Sequence, residues 1–213
     1  MAVQSLDAQL LLLINHGTTN GLFDILMPAL SERGYLLAIP FLLAMLLRAT
    51  KQKDKHGKSY LGTALWTIVI AVCAWYLAEW VEHAVKDWTA RTRPCRAIEG
   101  IRLIVACPKS FSMPSGHSIT SFAVALPLFY LTREYIELIW RFYPLLLASA
   151  IAFSRLYLGV HYPTDVLAGA LLGAAIAMTL SMLYEQGTGK ISDGPRKIEQ
   201  EKNTMRQARE KSD

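Results

Sequence analysis

Residues 154–165 read SRLYLGVHYPTD and gather an arginine, a histidine and an aspartate at the end of one apolar run and the start of the next. His161 and Asp165 are four apart. Pro163 between them suits the first turn of a helix, where its fixed φ and missing N–H cost nothing. One helical turn puts positions i and i+4 on one face. Asp165 is therefore expected to accept a hydrogen bond from one ring nitrogen of His161, fixing the tautomer and leaving the other nitrogen electron-rich. An imidazole so prepared serves as a nucleophile or a general base. Arg155 adds a planar fork of donors that fits phosphate. The same H-x-x-x-D spacing also occurs at plain helix caps, so the pair alone does not decide the chemistry.

The elements that must position these groups belong to a membrane protein. Of 213 residues, 53% are hydrophobic and 18% charged, and mean hydropathy is +0.27, too apolar for an ordinary soluble domain. Net charge is +5. The basic residues sit mainly between and after apolar runs, so they read as topology signals and not as a nucleic-acid surface. Residues 1–20 contain no Lys or Arg. The first apolar span is accordingly expected to act as its own insertion signal.

The pattern predicts an all-α, polytopic helix bundle with about five transmembrane helices. Residues 5–16 and 20–30, the second broken by Pro28, are each too short to cross a bilayer and are expected to lie in its interface. Spans follow at about 34–53, 61–83, 115–131, 136–154 and 163–184. The division is 1–33 as interfacial helices, 34–184 as the catalytic membrane domain and 185–213 as a charged cytoplasmic tail. The linker 48–58 carries five basic residues and marks the inside, which puts the C-terminus inside and the loop 86–113 outside. That outer loop carries six basic residues, against the usual bias. Gly169 and Gly173, spaced as G-x-x-x-G among alanines, favour close helix contact. Cys73 reads as a small buried hydrophobe. Cys95 and Cys107 bracket the outer loop, where a disulfide would persist, while no Cys/His cluster has metal-site spacing.

Three segments then share the outer face: residues 86–94, 114–117 and 154–165. Lys86 and Arg93 are cations that could anchor lipid headgroups or grip phosphate. Ser115 and Gly116 precede His117 where the third span begins. Small residues there let a ligand approach the backbone, and the N–H groups of a helix start bind anions. In order, K-x6-R-P (Lys86, Arg93, Pro94), P-S-G-H (Pro114 to His117) and S-R-x5-H-x3-D (Ser154, Arg155, His161, Asp165) resemble all three signature motifs of the type 2 phosphatidic acid phosphatase family.

The resemblance covers roughly residues 34–184 and implies a phosphatase that needs no metal or other cofactor. His161 would be the nucleophile forming a phosphohistidine, Asp165 would orient it, and His117 would protonate the leaving oxygen. Lys86, Arg93, Arg155, Ser115 and the Gly116 amide would hold the phosphoryl oxygens. Fixed cations of this kind stabilise the charge of a transferring phosphoryl group, which gives the outer basic residues a reason. The implied partner is a membrane lipid phosphate at the extracytoplasmic face of the inner membrane. Within the family the short layout looks closest to lipid A 1-phosphatases, with undecaprenyl pyrophosphate and phosphatidylglycerophosphate phosphatases as alternatives. Vanadium haloperoxidases share the motifs, but they are soluble. A transporter or lipid-binding protein with a charged vestibule would not need the His–Asp pair.

Overall fold

The computed structural model describes residues 5–188, and within them the regular structure is helical: α1 (Leu6–Gly17), α2 (Gly21–Arg33), a 3-10 turn (Gly34–Leu37), α3 (Ala38–Lys51), α4 (Leu61–Thr89), α5 (Pro94–Ala97), α6 (Gly116–Tyr130), α7 (Leu138–Tyr157) and α8 (Pro163–Gly187). Local chemistry sets several ends. Ser5 Oγ accepts from Ala8 N at 3.3 Å and Asn20 Oδ1 accepts from Phe23 N at 2.8 Å, each capping a helix start. Helix α4 ends at Ala90, which takes the left-handed conformation with φ 44°. The carboxylate of Asp165 accepts from Tyr162 N at 2.9 Å and so caps α8.

The chain is a multi-pass membrane protein. Among the described residues, three helical segments are long and apolar enough to cross a bilayer: Gly21–Lys51, Leu61–Ala97 and Pro163–Gly187. Residues 20–30, expected as a separate short piece broken by Pro28, instead begin the first of these segments. Pro28 lies inside α2, and the helix continues through the 3-10 turn into α3, because a proline removes one hydrogen bond without forcing the chain to turn. Of the other two expected spans, α6 has only 15 residues, about 22 Å at the helical rise. Helix α7 has 20 residues but carries Arg141 and Arg155. Helix α8 runs past residue 184 to Gly187. Glu185 is a buried residue of α8, where it accepts from Tyr130 Oη at 2.9 Å and pairs with Arg133. The remainder of the expected tail, from 189 on, lies outside the described residues.

Helix α6 is the centre of the bundle, packed against α4, α7 and α8. Its inward contacts are small: Ala74 and Ala78 of α4 meet Ile119 and Ala123 of α6, with Leu172, Ile176 and Leu180 of α8 packed against them. The large apolar side chains point the other way, among them Leu65, Trp66, Tyr76, Leu167, Leu171 and Trp140. Small residues inside and bulky ones facing lipid are what helix association in a bilayer requires. Cys73 belongs to the outward set, being exposed and not buried as its apolar surroundings had indicated. Cys95 and Cys107 form a disulfide, with Cα atoms 6.0 Å apart.

Candidate active site

At one end of the bundle, the C-terminus of α4, the N-terminus of α6 and the turn into α8 converge. The backbone ties them directly: Ser115 N donates to Asp165 O at 2.9 Å, and Thr89 Oγ1 donates to Met113 O at 2.9 Å. Arg93, just beyond α4, reaches across to His161, with Nη1 2.9 Å from Nε2. A guanidinium only donates, so Nε2 is the acceptor and the neutral ring carries its proton on Nδ1. The rest of Arg93 is fixed from three sides. Nε donates to Ser110 O at 2.8 Å, Nη2 to Ser110 Oγ at 2.9 Å, and Nη1 also to Val160 O at 3.0 Å.

His161 is buried in the turn before α8. Burial pushes its pKa from 6.5 down to about 3; Arg93 and Arg155 push the same way, and Asp165 opposes them. The imidazole is therefore neutral throughout the ordinary pH range. Its folded pKa lies below the free value, so the stability of keeping it neutral is present above about 6.5 and is lost as pH falls towards 3.

The expected hydrogen bond from His161 to Asp165 is not formed. Nδ1 lies 3.6 Å from Asp165 Oδ2, an electrostatic contact beyond hydrogen-bond length, and among the described residues Nδ1 has no hydrogen-bond partner. The reason is that Asp165 is already engaged. Oδ2 accepts from Ser112 Oγ at 2.5 Å and from Tyr162 N, and Oδ1 accepts from Arg91 Nη1 at 2.6 Å. Arg91 in turn donates to Asp7 of α1 at 2.5 Å and lies over the Tyr162 ring at 3.9 Å from its centroid. Ser112→Ala would leave a buried carboxylate oxygen short of a charge-assisted bond. We expect it to lower unfolding stability by about 1–3 kcal/mol, read as a drop in the thermal midpoint in detergent; an unchanged midpoint would contradict this account of Asp165.

The other expected residues surround this centre. Arg155 is buried at the end of α7, where Nη1 donates to Ser31 Oγ and Nε has no hydrogen-bond partner among the described residues. Lys86 is buried and paired with Glu82, one turn earlier on α4. Ser115 is buried beneath the first turn of α6 and accepts from Ser118 Oγ at 3.1 Å. A Cβ added to Gly116 would run into the Glu82 carboxylate. His117 and Gly116 line a cavity of about 810 Å³ that extends between α2, α3, α4, α6 and α7, over apolar walls that include Val124, Ala125, Leu128 and Leu147.

Sequence reasoning did not find Arg91, Ser112, Asp7 or Glu82. Glu82 had a readable signal, because Glu four residues before Lys puts both on one helix face. Asp7 and Ser112 reach the site through tertiary contact alone. Among the described residues, no three His, Cys, Asp or Glu side chains are grouped as metal ligands would be.

The PAP2 superfamily model matches residues 64–187, which include all three motifs, and the chain belongs to that superfamily. It is 29% identical over 144 residues to "Bacitracin transport permease protein BcrC" of Bacillus licheniformis, covering 68% of this chain and 63% of that protein. It is 31% identical over 158 residues to an undecaprenyl-diphosphatase of Sulfolobus acidocaldarius, covering 69% and 72%. A lipid A 4'-phosphatase of Bacteroides thetaiotaomicron is 28% identical over 177 residues, covering 80% and 73%. The crystal structure of Aquifex aeolicus LpxE has the same fold, with TM-score 0.64 at 23% identity over 84% of this chain and 96% of that one.

Proposed function

We propose that the protein is a membrane lipid phosphatase that takes phosphate from a lipid phosphate monoester or diphosphate through a phosphohistidine at His161. One observation carries the reading. The Arg93 guanidinium, suited to gripping a phosphoryl oxygen, is 2.9 Å from the imidazole nitrogen that would attack phosphorus.

The steps follow from the groups present. As the phosphoryl group enters, Arg93 moves its donor from Nε2 to a phosphoryl oxygen, which frees the nitrogen lone pair. Nε2 forms the P–N bond as the P–O bond to the lipid breaks. His117 gives its proton to the departing oxygen. Water then attacks the phosphohistidine, His117 takes the proton back, and inorganic phosphate leaves. Lys86, Arg93, Arg155 and the amides at the start of α6 disperse the charge on the equatorial oxygens. Asp165 acts at 3.6 Å as an electrostatic partner of the Nδ1–H. These cations supply what a metal ion would, so the reaction needs none.

The apolar cavity beside His117 suits a lipid chain. For the particular lipid we keep lipid A 1-phosphate as the first reading, supported by the lipid A 4'-phosphatase relative. Undecaprenyl diphosphate is the second, favoured by the 31% identical diphosphatase. We assign the site to the outer face of the inner membrane, a reading supported by the five basic residues in the linker 48–58 at the other end of α4. Phosphate release from lipid A, undecaprenyl diphosphate and phosphatidylglycerophosphate in detergent, with chelator present, tests the reading. We expect turnover of at least one lipid, undiminished by chelator. Loss of turnover on chelation would overturn the metal-free mechanism, and no release from any lipid phosphate would overturn the function.

A further inference from the structure

The phosphate cradle holds an acidic side chain that the mechanism above does not use. Glu82 is buried on α4, pairs with Lys86 and places its carboxylate where a side chain on residue 116 would begin. Its oxygens therefore lie against Gly116, at the start of α6, where first-turn amides lack intrahelical partners and attract anions. It also lines the cavity shared with His117. A carboxylate held by a lysine beside a helix N-terminus occupies the kind of position a phosphoryl group seeks.

We propose that Glu82 is a resident anion that holds the phosphate cradle between turnovers and must yield it to the substrate. This rests on the lipid phosphatase reading. An ionised Glu82 and a phosphate dianion at Lys86 repel each other in a poorly hydrated site. Binding therefore requires the carboxylate to swing away from Lys86, towards the side of the cavity lined by Glu79. The return of Glu82 to Lys86 then helps expel inorganic phosphate. Glu82 is thus a positioning residue: it sets how tightly the cradle holds an anion and leaves the bond-making to His161.

The experiment measures binding of inorganic phosphate to the purified chain in detergent, by isothermal titration, for the wild type, Glu82→Gln and Glu82→Asp. Glutamine keeps the shape and removes the charge, so we expect phosphate to bind about tenfold more tightly, a change of about 1.4 kcal/mol. With lipid substrate, KM falls and kcat falls as product release slows. Aspartate keeps the charge and should restore affinity to near the wild-type value. Phosphate affinity in Glu82→Gln that is equal to or weaker than wild type would overturn the proposal. So would misfolding of both variants, because that outcome makes Glu82 a structural strut for Lys86. Titration needs no turnover, so a chain that hydrolyses no lipid yet binds phosphate more tightly as Glu82→Gln would sink the phosphatase reading and keep the resident anion.

Discussion

Replacing His161 with alanine should reduce phosphate release by on the order of 10⁴-fold or more, the scale seen when a covalent nucleophile is removed. About 5.5 kcal/mol of transition-state stabilisation would go with the side chain. Steady-state release from a lipid substrate, beside acid-labile labelling of the protein during turnover, measures it. Label should vanish with activity, because no other described side chain stands within 3 Å of the Arg93 donor that is to hold the phosphoryl group and also offers a nitrogen acceptor. The ring is buried and its neutral form is favoured down to about pH 3. An acid limb of activity between pH 5 and 7 would therefore belong to another group. Retention of a tenth or more of wild-type turnover in His161→Ala would remove the phosphohistidine mechanism and favour the transporter or lipid-binding reading.

The residues that carry charge or a ring nitrogen could be found in the sequence because their types are rare in an apolar chain, and their spacing tied them to helix starts. Their partners were less legible. The i+4 spacing brings His161 and Asp165 together, but it does not reveal that Ser112, Arg91 and Tyr162 N claim both carboxylate oxygens. Asp165 is a helix cap and an electrostatic partner at once, which a linear motif cannot express. The number of spans is hard to read from hydropathy for a related reason. The apolar residues of α6, such as Ile119, Ala123 and Leu128, are buried by neighbouring helices, so their hydropathy reports protein packing as readily as lipid. Pro28 misled in the other direction, because a proline within a long helix costs local stability without ending it.

Gly173→Leu should prevent the bundle from assembling, and even Gly173→Ala should lower unfolding stability by about 1–3 kcal/mol. A Cβ at 173 would overlap the carbonyl oxygen of Ile119 and stand 3.0 Å from Ala123 N. These are backbone atoms of α6 and cannot rotate away, so the two helices must separate. Gly169 faces the same surface one turn earlier, where a Cβ would lie 2.7 Å from the carbonyl oxygen of Ser115. Separation there would strain the bond from Ser115 N to Asp165 O, which holds the first turn of α6 against the start of α8. Activity should consequently fall with stability, and both should respond more to alanine at 173 than at Gly62, where nothing lies within 4 Å of an added Cβ. Thermal midpoints of the purified variants in detergent, measured beside phosphate release, provide the comparison. Equal midpoints for Gly173→Ala and Gly62→Ala would show that α6 and α8 do not depend on this close approach, and the positioning of Ser115 to His117 would need another cause.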